Sequence, residues 1–109
     1  MRFYRGLYIS PSIEKKRNKI IWKLRTGRPQ PMIYVIALAK NSDQLEIYHS
    51  AMLKQKYYKK KNHAPYIVGL AVGYWNAVAL VADMFEDVYK ITGGYDVKSF
   101  FYCRRDFLL

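Results

Sequence analysis

The chain has 109 residues, 51% hydrophobic and 25% charged, with a formal net charge of +11. That length suits one compact domain with a core of its own, and the composition excludes a disordered segment, while a single cysteine, Cys103, excludes an intrachain disulfide and a cysteine-rich metal site. The charge is uneven: residues 1–30 carry +8, residues 31–65 carry +4, and residues 66–109 carry −1.

Arg2 to Ile9 reads as a strand, with Phe3, Leu7 and Ile9 on one side and Arg2, Tyr4 and Tyr8 on the other; Arg5 falls on the apolar side. Charge in Met1-Arg2-Phe3-Tyr4-Arg5 does not suit a secretion signal, and with one thiol the reading is a cytoplasmic protein. Ser10-Pro11-Ser12 offers a helix start, because proline in the first turn loses no needed hydrogen bond. The predicted helix runs to Thr26, with Ile13, Ile20, Ile21 and Leu24 as its apolar stripe and Gly27 with Pro29 as its end. Lys15, Lys16, Arg17, Lys19, Lys23 and Arg25 cover the remaining surface, and Trp22 sits at the border, either a core edge or a stacking side chain.

Met32 to Ala39 is an unbroken apolar run, as in a central strand covered on both faces. Lys40-Asn41-Ser42-Asp43 reads as a turn into a returning antiparallel strand, Leu45 to His49; a helix from Ser42 through Leu53 is the runner-up. The basic and aromatic stretch KQKYYKKKNHAP, 54–65, reads as a helix end or a loop, after which Tyr66 to Ala71 is the next strand. Tyr66 to Ala82 is uncharged for seventeen residues, short for a membrane span and interrupted by Gly69 and Gly73, so a strand, a turn and a helix are expected instead. Ala77, Val81, Met84, Val88 and Ile91 give that helix its stripe, with Leu80 and Phe85 widening it; Gly93 and Gly94 stop it, and Tyr95 to Tyr102 reads as a last strand.

The expected fold class is therefore α+β: one domain over 1–109, a mostly antiparallel sheet of four to five strands, and two helices packed on one face in a split β-α-β-β-α-β-like order. In that arrangement the opposite face is free to act as a binding platform. The phrases GLYISPSI (6–13), YVIALAK (34–40), DQLEIYHS (43–50) and YIVGLAVGY (66–74) together resemble a group of small uncharacterised bacterial cytoplasmic proteins. The resemblance implies no mechanism and carries over no site residues.

The sequence holds no catalytic set of recognisable spacing. His49, with Asp43 and Glu46 nearby, has the residue types of an acid and base pair, but in a strand Glu46 and His49 point to opposite faces, which favours a hydrogen-bonded core edge. Cys103 beside Arg104 and Arg105 has the charge to favour a thiolate but no base, so it reads as an incidental thiol. His49, His63 and Cys103 have no metal-ligand spacing, the glycines make neither a phosphate loop nor a dinucleotide fingerprint, and no cofactor or metal is expected.

The remaining signal is basic and aromatic. Lys15, Lys16, Lys19, Lys23, Arg25 and Arg28 form one segment, and Lys54, Lys56, Tyr57, Tyr58, Lys59, Lys60, Lys61 and His63 form the other. Cations neutralise phosphates and tyrosines stack on exposed bases, so the expected partner is RNA or DNA, bound without base-specific readout. The signatures of an RNA-recognition motif and of a helix-turn-helix are both missing. The contrasting expectation is a protein-interaction module that meets an acidic partner or forms a homodimer, and the bland reading of the charge is a solvated surface.

Overall fold

A computed structural model describes residues 2–39, 44–54 and 65–101. Strand β1 (Arg2–Ile9) leads through a 3-10 turn (Pro11–Lys16) into helix α1 (Arg17–Thr26); β2 (Ile33–Leu38) and β3 (Leu45–His49) follow, then a second 3-10 turn (Ser50–Lys54), β4 (Tyr66–Val72) and helix α2 (Tyr74–Thr92). The chain is α+β, as its alternating patterns predict. The strand order is β1-β4-β2-β3, so the first and last strands are neighbours. β4 runs parallel to β1 and antiparallel to β2, and β2 pairs antiparallel with β3 from Tyr34↔His49 to Leu38↔Leu45. The turn expected at Lys40 to Asp43 lies outside the described residues.

The two helices do not share a face, which corrects the expected arrangement. Ile13, Ile20 and Leu24 from the first turn and α1 pack with Leu7, Ile33, Val35, Ile67, Leu70 and Leu53 in one core. Ala77, Leu80, Met84 and Val88 from α2 pack with Tyr4, Ile36, Leu38, Val68 and Ala71 in a second core. Because adjacent strand residues point to opposite sides, these are the two faces of one sheet, each covered by a helix. This explains the uninterrupted burial of β2 from Val35 to Leu38 and of β4 from Tyr66 to Ala71. It also makes Tyr4, on the side of β1 expected to be polar, a core residue whose ring meets Phe101 edge-on at 4.9 Å. Neither face of the described sheet is left as a platform.

Two further expectations change. Residues 97–101 are helical, not a strand: Phe100 N–H donates to Asp96 C=O at 3.0 Å, and Val97, Phe100 and Phe101 close the α2 side of the core. The α2 stripe ends at Val88, since Ile91 is 59% exposed.

Two glycines set where α2 lies. A Cβ on Gly69 would stand 2.6 Å from the Met84 methyl and 3.0 Å from Ile36 Cδ1, so β4 is bare where the helix crosses it. Gly73, between β4 and α2, has φ 81° and ψ 154°, a region open in practice to glycine alone, and it turns the chain off the sheet in one residue. Among the described residues, no helix is long and apolar enough to cross a membrane.

Candidate functional site

Of the residues expected to contact a polyanion, Lys15, Lys16, Lys19, Lys23, Arg25 and Arg28 are described, and all but the half-buried Lys23 are exposed. Lys54 closes the second 3-10 turn. Lys56, Tyr57, Tyr58, Lys59, Lys60, Lys61 and His63 lie outside the described residues. Leu53, just before Lys54, packs in the same core as Ile20 and Leu24, on the face of the sheet that α1 covers.

The first basic segment divides between two flanks of α1. Its apolar residues must face the sheet, which leaves cations on both sides of the buried stripe. On the β1 flank, the Arg25 guanidinium lies over the Phe3 ring at 4.9 Å from its centroid, and Arg17 reaches the Arg5 carbonyl at 3.5 Å. These two arginines hold the helix to the edge strand. On the other flank Lys16, Lys19 and Lys23 fall at i, i+3 and i+7, and together with Gln30, Met32 and Val72 they line a groove of about 250 Å³. The lysines have no hydrogen-bond or ion-pair partner among the described residues.

The cations at the start of α1 oppose their own helix, whereas Lys23 and Arg25 in the last turn complement its dipole. Arg17–Thr26 holds four cations and no anion, and its first turn holds no acidic residue. Cations near a helix N-terminus oppose the macrodipole, and like charges at i, i+3 or i, i+4 destabilise by about 0.2–0.5 kcal/mol per pair.

The lining of the groove holds no aromatic residue; exposed aromatic side chains stand on α1 and at the start of α2, and most have no motif to mark them in the sequence. Trp22 is 51% exposed with the Arg28 guanidinium 4.9 Å from its ring centroid, so it is not a core edge. Met32 is 61% exposed, and its carbonyl accepts from Gly73 N–H at 2.8 Å, which brings the start of α2 beside the groove. There Trp75 is 77% exposed and packs edge-on against Tyr74 at 5.3 Å, and Tyr74 packs in turn on Tyr34. Both fall within the uncharged run, yet Trp75 is off the stripe set by Ala77, Leu80 and Met84, a signal present in the sequence. Gln30 fixes the groove floor: its amide donates to Ile20 C=O at 3.3 Å, and its carbonyl accepts from Ser50 Oγ at 2.7 Å. Nothing in the local pattern of GRPQP marks that role, because both partners are distant in sequence.

His49 is a hydrogen-bonded edge. Ala51 N–H donates to Nδ1 at 3.1 Å, which leaves Nε2 to donate to Pro31 C=O at 2.8 Å. The neutral ring has both nitrogens committed, and Tyr34 packs against its face at 5.1 Å. Cys103 lies outside the described residues. Among the described residues no group of three or more His, Cys, Asp or Glu is placed to hold a metal ion. Comparison of the chain with protein-family models, with curated proteins and with solved structures finds no match.

Proposed function

We propose that the chain binds a single-stranded nucleic acid along the α1 groove, with the Lys54 to His63 segment extending the contact. The observation that carries this reading is the row Lys16, Lys19 and Lys23, lining a groove with no anionic partner among the described residues, on a helix that also exposes Trp22. Successive phosphates of a strand can be met by such a row, while Trp22 offers a face on which any base can stack, at roughly 1–3 kcal/mol per base. The interactions are with backbone and with ring faces, so sequence preference is weak.

The test is binding of short labelled RNA and DNA across about 50–200 mM salt. Replacing Lys16, Lys19 and Lys23 together by Gln is expected to weaken binding and to flatten the salt slope by about 2, near 0.7 for each phosphate no longer neutralised. Binding and slope equal to those of the parent would remove the reading. The contrasting interaction module has its own support in Tyr89, Ile91 and Tyr95, which stand 55%, 59% and 61% exposed at the far end of α2. A concentration-dependent dimer with no nucleic-acid affinity, measured by sizing the protein beside the titration, would favour that module.

A further inference from the structure

The two edges of the sheet are not alike. β1 carries the exposed Arg2 and Arg5, and its pairing with β4 slips register between Phe3 and Tyr8, so charge and irregularity both blunt it. β3 has neither device. Its register with β2 runs unbroken from Tyr34↔His49 to Leu38↔Leu45, it holds no Lys, Arg or Pro, and no described strand pairs with its other side. Ala39 N–H donates to Gln44 C=O at 2.9 Å, and the alternation of an antiparallel ladder then turns the backbone groups of Glu46 and Tyr48 toward β2 and those of Leu45 and Ile47 outward. Such an edge is a template for another strand.

The helix beside that edge is apolar on the same side. Tyr74, Val78, Val81, Phe85 and Tyr89 recur at spacings of three and four residues and form one face of α2, each of them half-buried or exposed. Leu45, Ile47, Val81 and Phe85 fringe the same core, and Tyr74 packs on Tyr34, which packs on His49, so this face looks toward β3. Tyr95 extends it, with its ring 5.8 Å from those of Phe85 and Tyr89. The charged side chains of α2 lie away from it: Asp87 accepts from Tyr8 O–H of β1, and Lys90 pairs with Glu86 at 3.1 Å.

Charge and register name the occupant. A chain of net charge +11 can approach its own copy only where it carries few cations, and β3 and α2 together hold one, Lys90, already paired. An acidic partner would be drawn instead to the lysines of α1, on the opposite face of the sheet. A two-fold axis at Ile47 makes the edge self-complementary. Leu45 comes opposite His49 of the second copy, Ile47 opposite its equivalent and Glu46 opposite Tyr48, so no like charges are opposed. We infer that β3 pairs antiparallel with β3 of a second copy, joining two four-stranded sheets into one, with the apolar faces of both α2 helices closing over the junction. Tyr74, Tyr89 and Tyr95 are 48%, 55% and 61% exposed, which leaves roughly 100 Å² of each to cover; with the strand edge and the half-buried side chains the two copies bury roughly 1,000–1,200 Å², enough for a weak specific dimer. The dimer stands whether or not the lysine groove binds nucleic acid.

The experiment is sedimentation of the full chain over a concentration series, without nucleic acid, beside amide hydrogen exchange of dilute and concentrated protein. A reversible dimer with a Kd on the order of 10 μM is expected. Raising salt from about 50 to 200 mM should tighten it severalfold, because two +11 chains then repel less, whereas salt weakens a nucleic-acid complex. The Leu45 and Ile47 amides should exchange about tenfold more slowly in the concentrated sample, and those of β1 should not change. Tyr89→Lys should raise the Kd at least about tenfold, while Ile91→Lys, off the apolar face of α2, should leave it as it is. A chain that stays monomeric to about 1 mM would leave the edge to a foreign strand and overturn the proposal. So would association that weakens with salt, a dimer without new protection in β3, or a Kd that Tyr89→Lys does not move.

Discussion

Gly69 shows how one missing side chain positions an element. Its Cα faces Met84 and Ile36, both fully buried, and an added methyl would stand 2.6 Å from the Met84 Cε. The methionine end can swing aside, but only into a packed core, so Gly69→Ala is expected to destabilise by about 1–3 kcal/mol. The cause can be isolated by pairing it with Met84→Ala. The truncation alone should cost about 2–5 kcal/mol, and the double variant should be more stable than the two effects added together, because the clash vanishes with the side chain. Additive effects in a denaturant titration would mean that Gly69 is needed for its backbone and not for its emptiness. The single-residue roles that the sequence did disclose were those with a local cause, such as Gly27 and Gly93 as helix stops. Gln30 stayed silent, because its significance lies in partners contributed by distant segments.

At the scale of the element, α1 is held by its stripe and opposed by its charge. Ile20 and Leu24 are 5% and 6% exposed, and each contributes roughly 1.5–3 kcal/mol by burial. Against this stand cations in the first turn. Lys19→Glu places a carboxylate at the third helical position and relieves repulsion with Lys16 and Lys23, so the variant should gain about 0.3–1 kcal/mol and a Tm higher by a few degrees. The same change should weaken oligonucleotide binding more than Lys19→Gln does. A variant that is neither more stable nor weaker in binding would show that the stripe is an ordinary wet surface. Both helices were legible because 3.6-residue periods over ten or more residues are hard to imitate. Residues 97–101 were misread although Val97, Phe100 and Phe101 keep helical spacing behind Asp96, because one turn is too short for periodicity to outweigh a run of aromatic, strand-favouring residues.

At the scale of the whole molecule, the sheet between two helices decides which parts are rigid. β2 and β4 are interior strands covered on both faces, with Val35, Ile36, Ile67 and Leu70 fully buried, whereas β1 and β3 are edges. Amide hydrogen exchange should therefore be slowest in β2 and β4, approaching the global unfolding free energy, and faster in β1 and β3. Equal protection in β1 and β4 would contradict this layering. The four strands could be read from composition, but their order could not, because the parallel register Ile9↔Leu70 joins residues 61 apart that carry no mark of each other. The side each helix takes follows from that order, which is why the sequence supported both helices and misplaced one. The consequence reaches the candidate site as well: with both faces covered, the lysine row lies along a flank of α1 and not on the sheet.

The place of β4 between β1 and β2 has a further consequence in the order of synthesis. As the chain leaves the ribosome, β2 and β3 can close a hairpin early, but β1 has no neighbour until residues 66–72 emerge, and α1 has only half of its apolar seat. Strand β4 is the keystone, arriving last among the described strands and slotting between two that have waited for it. Until then α1 can pack only on β1, β2 and Leu53, and its seat is complete when Ile67 and Leu70 arrive.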